Sequence, residues 1–263
     1  MSEKVNSEYW ERIWLDSDLP RAVEPERDTL RNHSYHELHL LFSKYLEQEN
    51  GGRIIEFGCA QSVWLTYFAR RHGLKITGID YSPFGCEKAS AVLSRAGVDG
   101  EIVHADFMHP PRHLLGACDF GVSFGVVEHF DDTAECLAAF RRFLKPGGIL
   151  ITTIPNLAGL VGTLQKHLDR KIYDIHVPLD DLGLADAHRR AGMQVMDCQY
   201  VVCSNFGVLT LGDNARSFAR LRRLVRFALV GFSAATWVVN RYIVTIPASR
   251  LLSPYIVCVA RVP

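Results

Sequence analysis

The sequence carries no surplus of either charge, no cysteine pair at C-x-x-C spacing and no apolar run long enough to cross a bilayer. Its 29 Lys and Arg are matched by 29 Asp and Glu over 263 residues, so the overall electrostatic footprint of a nucleic-acid binder is missing. One concentration of positive charge, five arginines from Arg216 to Arg226, reads as a solvated helix face. The seven cysteines (Cys59, Cys86, Cys118, Cys136, Cys198, Cys203 and Cys258) are odd in number, and several sit inside apolar runs. They read as reduced thiols of a cytoplasmic protein, not as disulfides or zinc ligands. Met1 to Asn6 is polar and lacks the apolar core of a secretory signal. The longest apolar stretch, Phe227 to Val239, stops at Asn240-Arg241, short of the ~20 residues a spanning helix needs. A pocket wall, a subunit contact in a homodimer and a membrane-surface contact by residues 227–246 are the roles left to it. Internal repeats and low-complexity tracts are absent as well.

What is present is the material of one substantial α/β domain with an elaboration: 48% apolar and 22% charged residues. From residue 53 apolar β-like runs alternate with helical patterns. Arg53 to Gly58 reads as a first strand, Val63 to Arg71 as a helix with Ser62 placed to cap it, and Lys75 to Asp80 as a second strand. Pro83 opens a helix to Arg95, and Gly100 to Asp106 is a third strand. Asp119 to Phe124 makes the fourth, followed by a helix from Asp131 to Leu144 that Lys145-Pro146-Gly147-Gly148 ends. Ile149 to Ile154 is the fifth strand, Leu179 to Ala191 a helix, Met193 to Val202 a sixth strand and Ser253 to Val262 the last. Such alternation argues for a doubly wound, mostly parallel sheet. Residues 1–50 read as an N-terminal helical cap and 203–250 as a helical insertion. The core then spans 51–202, with 251–263 returning to it as the final strand.

Ligands in an open α/β sheet sit beyond the carboxyl ends of the strands, so the strand tips are where chemistry is sought. After the first stands Glu56-Phe57-Gly58-Cys59-Ala60-Gln61-Ser62, a small turn that lets backbone N–H groups and a helix N-terminus approach an anion. Asp80-Tyr81 ends the second, about 22 positions past Gly58, where a carboxylate can accept both hydroxyls of a ribose. Ala105-Asp106-Phe107 ends the third, an acid for an adenine amino group beside a ring to stack on it. Phe124-Gly125 and Glu128-His129-Phe130 follow the fourth. Singly, Asp80 and Asp106 read equally well as strand-end acids that cap helices. Their recurrence at successive tips favours a binding site.

These segments resemble the class I, Rossmann-like S-adenosylmethionine-dependent methyltransferases. Glu56-Phe57-Gly58-Cys59-Ala60 is similar to that family's acidic-x-Gly-x-Gly turn, Asp80 to its ribose acid and Asp106-Phe107 to its adenine clamp. Val127-Glu128-His129-Phe130-Asp131 and Leu144-Lys145-Pro146-Gly147-Gly148 are similar to its post-strand segment and its Lys-Pro-Gly-Gly turn. The resemblance covers about residues 53–155. It implies a mostly parallel seven-stranded sheet with a final antiparallel strand, an N-terminal helix folded over the cofactor, and S-adenosylmethionine leaving as S-adenosylhomocysteine. The residues it points to are Tyr9, Trp14, Glu56, Gly58, Cys59, Asp80, Tyr81, Asp106, Phe107 and Phe124. The turn departs from the pattern at Ala60 and Ser62, where glycines are usual, and Ala60 fits only with a negative φ. The same departure counts against NAD, whose turn requires G-x-G-x-x-G.

Methyl transfer needs alignment, exclusion of water and no anchored cation near the methyl. Aromatic walls suit a sulfonium; Tyr9, Trp10, Trp14, Phe107 and Phe124 are candidates, and an amphipathic helix packed on the sheet explains the first three as well. A phenol or hydroxy acid acceptor must lose a proton, and His129 is the first candidate base, His176 the second. His129 reads alternatively as a helix cap or pocket wall. His33, His36 and His39 share a helical face without a carboxylate or cysteine to complete a ligand set, and Asp131-Asp132 lacks the rest of a metal pattern, so no metal is expected. The function read from these residues is methyl transfer to a small molecule through O, N or S, in secondary or specialised metabolism. A nucleic-acid methyltransferase and a non-catalytic cofactor-binding scaffold are the alternatives. Neutral net charge and Ile154-Pro155-Asn156 argue against the first, and intact Glu56, Asp80 and Asp106 against the second. Selectivity for the acceptor is expected from the insertion, whose Phe206, Phe218, Phe227, Phe232 and Trp237 read equally as an apolar pocket for a lipid-like or aromatic acceptor and as a dimer interface.

Overall fold

A computed structural model describes residues 3–5, 7–15, 17–46, 51–210 and 219–263. Among them seven strands form one sheet: β1 (Arg53–Phe57), β2 (Lys75–Asp80), β3 (Gly100–His104), β4 (Cys118–Phe124), β5 (Leu144–Pro155), β6 (Gln194–Val201) and β7 (Tyr255–Arg261). Their order is β3-β2-β1-β4-β5-β7-β6. The first five run parallel, and β7 is antiparallel to both β5 and β6. Strand order reverses between β1 and β4, which opens a crevice at their carboxyl ends. The expected doubly wound sheet with its antiparallel last strand is the fold found.

Side-chain alternation assigns the two faces. Ile54, Phe120, Val122, Ile151, Val257 and Val259 point to one side, Ile55, Phe57, Leu150, Ile256, Cys258 and Ala260 to the other. On the first side lie α2 (His33–Leu46), α3 (Trp64–His72) and α4 (Pro83–Ala96); on the second lie α5 (Thr133–Arg141) and α8 (Asp181–Arg190). Phe57 stacks on Phe140 of α5 with ring centroids 4.0 Å apart. Ser82 caps α4 by accepting the Gly85 N–H, Pro83 stands at the first turn, and Gly97 ends the helix in the left-handed conformation.

Three boundaries differ from the sequence reading. The helix expected to reach Leu144 ends at Arg141, because Leu144 already pairs with Cys118 and β5 contains a register shift that absorbs the Lys-Pro-Gly-Gly turn. Strand β3 stops at His104, which frees Asp106 to turn. Residues 156–178, for which no element was expected, form α6 (Leu160–Leu168) and α7 (Arg170–Asp174). Within residues 1–50, α2 buries Leu38, Leu41, Phe42 and Leu46 in the sheet's own core. Among the described residues of this segment, Glu3, Trp10 and Trp14, from residues 3–5 and α1 (Ser7–Leu15), line the crevice.

The insertion carries α9 (Ala219–Tyr242). Its inner face is fixed to what precedes it: Trp237 Nε1 donates to the Ser204 carbonyl (2.6 Å), Ser233 Oγ accepts the Phe206 N–H (2.9 Å), and Leu229 joins Val161, Phe206 and Leu209 in a small apolar cluster with α6. The outer face stays in solvent, with Phe227 79% exposed and Leu224, Val238 and Tyr242 also out. Phe218 and Arg216 lie outside the described residues. No helix among the described residues is long and apolar enough to cross a membrane.

Candidate active site

The first turn works because each residue in it has a different constraint. Gly58 has φ +69°, and a Cβ there would come within 2.8 Å of Val126 Cγ2, so only glycine fits between β1 and the tip of β4. Cys59 turns inward, its Sγ packed where a side chain on Gly78 would go. The left-handed residue is Gln61 (φ 56°), not Ala60, so the departure at Ala60 is absorbed one position later. Gln61 Nε2 then reaches the 17–18 segment, donating to Ser17 Oγ and to the Asp18 carbonyl. Ser62 donates to Glu56 Oε2 and accepts from the Trp64 and Leu65 N–H groups, closing the N-terminus of α3 as its sequence position suggested.

Asp80 ends β2 beside this turn. Its Oδ1 accepts the Ser82 N–H (2.8 Å) and its Oδ2 the Ala60 N–H (3.1 Å), which leaves one lone pair on each oxygen for a diol. Burial raises the Asp80 carboxyl above its ordinary range, and the backbone N–H bonds from Ser82 and Ala60 oppose that rise. Glu56 is wholly buried and rises to about 8, mainly from loss of solvent, with Ser62 pulling the other way and the Asp80 charge adding to the rise.

These groups line an open-mouthed cleft with a cavity volume of about 260 Å³. Glu56, Gly58, Asp80, Tyr81, Phe107 and Phe124 of the expected residues are in its wall, and Trp14 closes it from above. Asp106 sits in an adjoining cleft that shares Glu3, Tyr81, Phe107 and Phe130 with the first. There it accepts the Met108 N–H (2.8 Å) and approaches His109 Nδ1 at 2.8 Å. Tyr9 is not in the wall; its neighbour Trp10 is, with Tyr9 edge-on behind it. Trp10 stacks on Trp14 (5.9 Å) and meets His129 edge-on (5.1 Å). The Lys4 N–H donates to the His129 carbonyl (2.9 Å), and Tyr81 Oη donates to Glu3 (3.3 Å), so residues 3–4 cross the mouth.

The far end of the cleft is a pair of histidines. His129 lines it and His176 lies behind, with ring centroids 4.4 Å apart. Burial lowers His129 to about 4, and the neighbouring His176 adds to the effect; burial lowers His176 too. Both are neutral imidazoles at physiological pH. Beside them, both carboxylate oxygens of Glu128 are buried without a hydrogen-bond partner. His33, His36 and His39 do not converge: His33 packs on Trp237, His36 bonds the Pro25 carbonyl, and His39 bonds Tyr67.

Two expectations about the wall are corrected. Sequence reading gave Trp10 no more weight than its neighbours and gave Glu3 no place, although both face the cleft. Among the described residues, none of the insertion is in the cleft wall: Phe206 is buried in the junction with α6 and α9, while Phe227 and Phe232 face solvent, because α9 is tied to residues 204–206.

A family model described as a methyltransferase domain matches residues 28–196. The chain belongs to this methyltransferase family. Among the methyltransferase's curated relatives, a ubiquinone biosynthesis O-methyltransferase of Pseudomonas aeruginosa is 26% identical over 157 residues, 56% of this chain and 66% of that enzyme, a little under two thirds of its length. A dimethylglycine N-methyltransferase of Parasynechococcus marenigrum is 28% identical over 222 residues, covering 82% and 77%. A ribosomal RNA small subunit methyltransferase C of Pseudomonas aeruginosa is 26% identical over 121 residues, covering 45% and 36%. The structure of a putative sarcosine dimethylglycine methyltransferase from Galdieria sulphuraria covers 97% of both chains with a TM-score of 0.57 at 15% identity, which is a likeness of fold. The methyltransferase accordingly uses S-adenosylmethionine, and a buried acid, a strand-end carboxylate and a ring-lined wall in one cleft fit that molecule.

Proposed function

We propose that this methyltransferase transfers a methyl group from S-adenosylmethionine to a nucleophilic oxygen or nitrogen of a small-molecule acceptor at the His129 end of the cleft. The observation that carries this reading is the gathering of Glu56, Asp80, Phe107, Trp10, Trp14 and His129 in the wall of one cleft, with Asp106 in the cleft beside it. Asp80 would hold the ribose hydroxyls, Phe107 and Asp106 the adenine, and Glu56 the ammonium of the amino-acid tail. When bound, the cofactor supplies an electrophilic methyl on a sulfonium that becomes a neutral thioether as the new bond forms.

The chain's own residues then have three tasks. Trp10 and Trp14 cover the sulfonium end with aromatic faces and keep water out. Asp80 and the turn at residues 58–62 fix the direction of the leaving sulfur relative to the acceptor. With no cation bound there, His129 and His176 are neutral imidazoles whose lone pairs are open to an acceptor proton. A ring-lined mouth favours a flat or partly apolar acceptor over a free sugar or phosphate ester. Balanced overall charge supports a metabolite over a nucleic acid, and seven free thiols support a reducing compartment such as the cytoplasm.

The outer stripe of α9 supports a second contact, with an anionic membrane surface. Leu224, Phe227, Val238 and Tyr242 are exposed at helical spacing, Ile243 and Val244 continue the patch, and exposed Arg223 and Arg226 supply charge complementary to acidic headgroups. Such a contact would bring the enzyme to a lipid-soluble acceptor.

The acceptor is found by incubating the protein with labelled methyl donor and a cell extract, then identifying the labelled compound. Label in a metabolite supports the reading, and label in RNA or DNA overturns it.

A further inference from the structure

We propose that Glu128, His129 and His176 form a binding site for one divalent transition-metal ion at the acceptor end of the cleft. One carboxylate oxygen and one ring nitrogen from each histidine lie within 4.8 Å of one another, so small side-chain adjustments would let a single ion contact all three at ordinary ligand distances of ~2.0–2.2 Å. Two segments distant in sequence are laced together to achieve this. The Val177 N–H donates to the Glu128 carbonyl (2.6 Å), and His129 Nδ1 meets the Ile175 carbonyl (2.8 Å).

The donor chemistry agrees with the placement. A carbonyl oxygen can only accept, so the Ile175 and Ile172 carbonyls facing Nδ1 of His129 and His176 (2.8 and 2.6 Å) put the ring protons on Nδ1. Each Nε2 is then left with its lone pair. Backbone carbonyls commonly hold metal-binding histidines in this way, fixing tautomer and ring direction together. Glu128 is 1% exposed, and neither of its oxygens has a hydrogen-bond donor. Burying a carboxylate without a partner is costly; a cation among these three groups removes that cost. Two imidazoles and one carboxylate select zinc, iron(II), cobalt or manganese over magnesium or calcium, and three protein ligands would leave at least one coordination position for water or another ligand; of the three, His129 lines the cleft.

No sequence spacing announces this set, because His176 reaches the other two only through the fold of α6 and α7. The inference rests on reading the His129 end as the acceptor end, since an ion there could take an acceptor hydroxyl as a further ligand. Its test does not depend on that reading. The full-length protein is stripped with a chelator, dialysed against zinc(II) or cobalt(II), and its bound metal counted by elemental analysis. One equivalent per chain at micromolar free metal is expected, with a cobalt(II) visible spectrum of low coordination number and a melting temperature that climbs with metal concentration. Glu128→Gln and His176→Ala should each weaken binding at least tenfold, while S-adenosylmethionine still binds the metal-free protein. Failure of the wild type to take up stoichiometric metal overturns the site, as does undiminished uptake in both folded variants. Retained cofactor binding in either case leaves the methyltransferase reading intact.

Discussion

The Asp80 carboxylate accepts the Ala60 backbone N–H at 3.1 Å, so the acid at the tip of β2 and the turn after β1 are one unit. Removing the acid deletes a ligand group and loosens the turn together. Asp80→Ala should weaken S-adenosylmethionine binding more than tenfold, ~1.4 kcal/mol or more, by calorimetric titration. Wild-type affinity in that variant would remove Asp80 from the ribose role.

Glu56 adds a pH dependence. Its folded-state value of about 8 lies above the ordinary 4.5, so its stabilising contribution is complete below pH 4.5 and is lost as pH rises toward 8. Pairing with an ammonium requires the ionised form, so cofactor binding should release a proton and weaken by up to tenfold per unit as pH falls from 8 to 6. Glu56→Gln should flatten that profile; an unchanged slope would place the titrating group elsewhere.

His188 responds with the opposite sign. Burial holds it down to about 4, its Nδ1 on the Leu184 carbonyl and its Nε2 3.1 Å from Thr152 Oγ1. Its contribution is present above pH 6.5 and disappears as pH falls to 4, because the unfolded chain takes up the proton first. Urea midpoints measured from pH 7 to 4 should drop in the wild type, and less steeply in His188→Gln.

Phe140 tests the core. Stacked on Phe57 at 4.0 Å and edge-on to Phe107 at 4.8 Å, it supports both a strand leading into the cofactor turn and a ring of the cleft wall. Phe140→Ala should cost about 3–5 kcal/mol in denaturant unfolding, with cofactor affinity falling as Phe107 loses its backing. A loss under 1 kcal/mol would mean that the space refills.

The α9 stripe gives a surface prediction. The protein should co-sediment with vesicles containing phosphatidylglycerol, weakly with pure phosphatidylcholine, and Phe227→Glu should abolish binding without lowering stability. A dimer in sedimentation equilibrium that Phe227→Glu dissociates, with no vesicle binding, would make the stripe a subunit contact.

The sheet was legible because its strands are apolar on both faces and are punctuated by glycine, proline and capping acids: Pro83 and Gly97 bracket α4, and Asp80 closes β2 at the residue expected. That Glu56 and Asp80 would meet in one cleft was legible for the same reason, since both fall at strand tips. What was hidden depends on the third dimension. Glu128 looked like part of a post-strand motif until burial removed its solvent and donors. Trp10 and Tyr9 are adjacent and chemically alike, and only the docking angle of α1 decides which faces the cleft. The aromatic residues of the insertion suggested a pocket because composition records apolar surface without recording where its helix is tied.

Residues 3 and 4 are held at the mouth by the Lys4 N–H on the His129 carbonyl, the Tyr81 hydroxyl on Glu3 and a half-exposed Lys4–Asp131 ion pair of 3.7 Å. A latch that light can be undone at thermal cost. Release of the spent cofactor is then expected to follow how readily these few N-terminal residues peel back, so that replacing Glu3 and Lys4 should change turnover more than cofactor affinity.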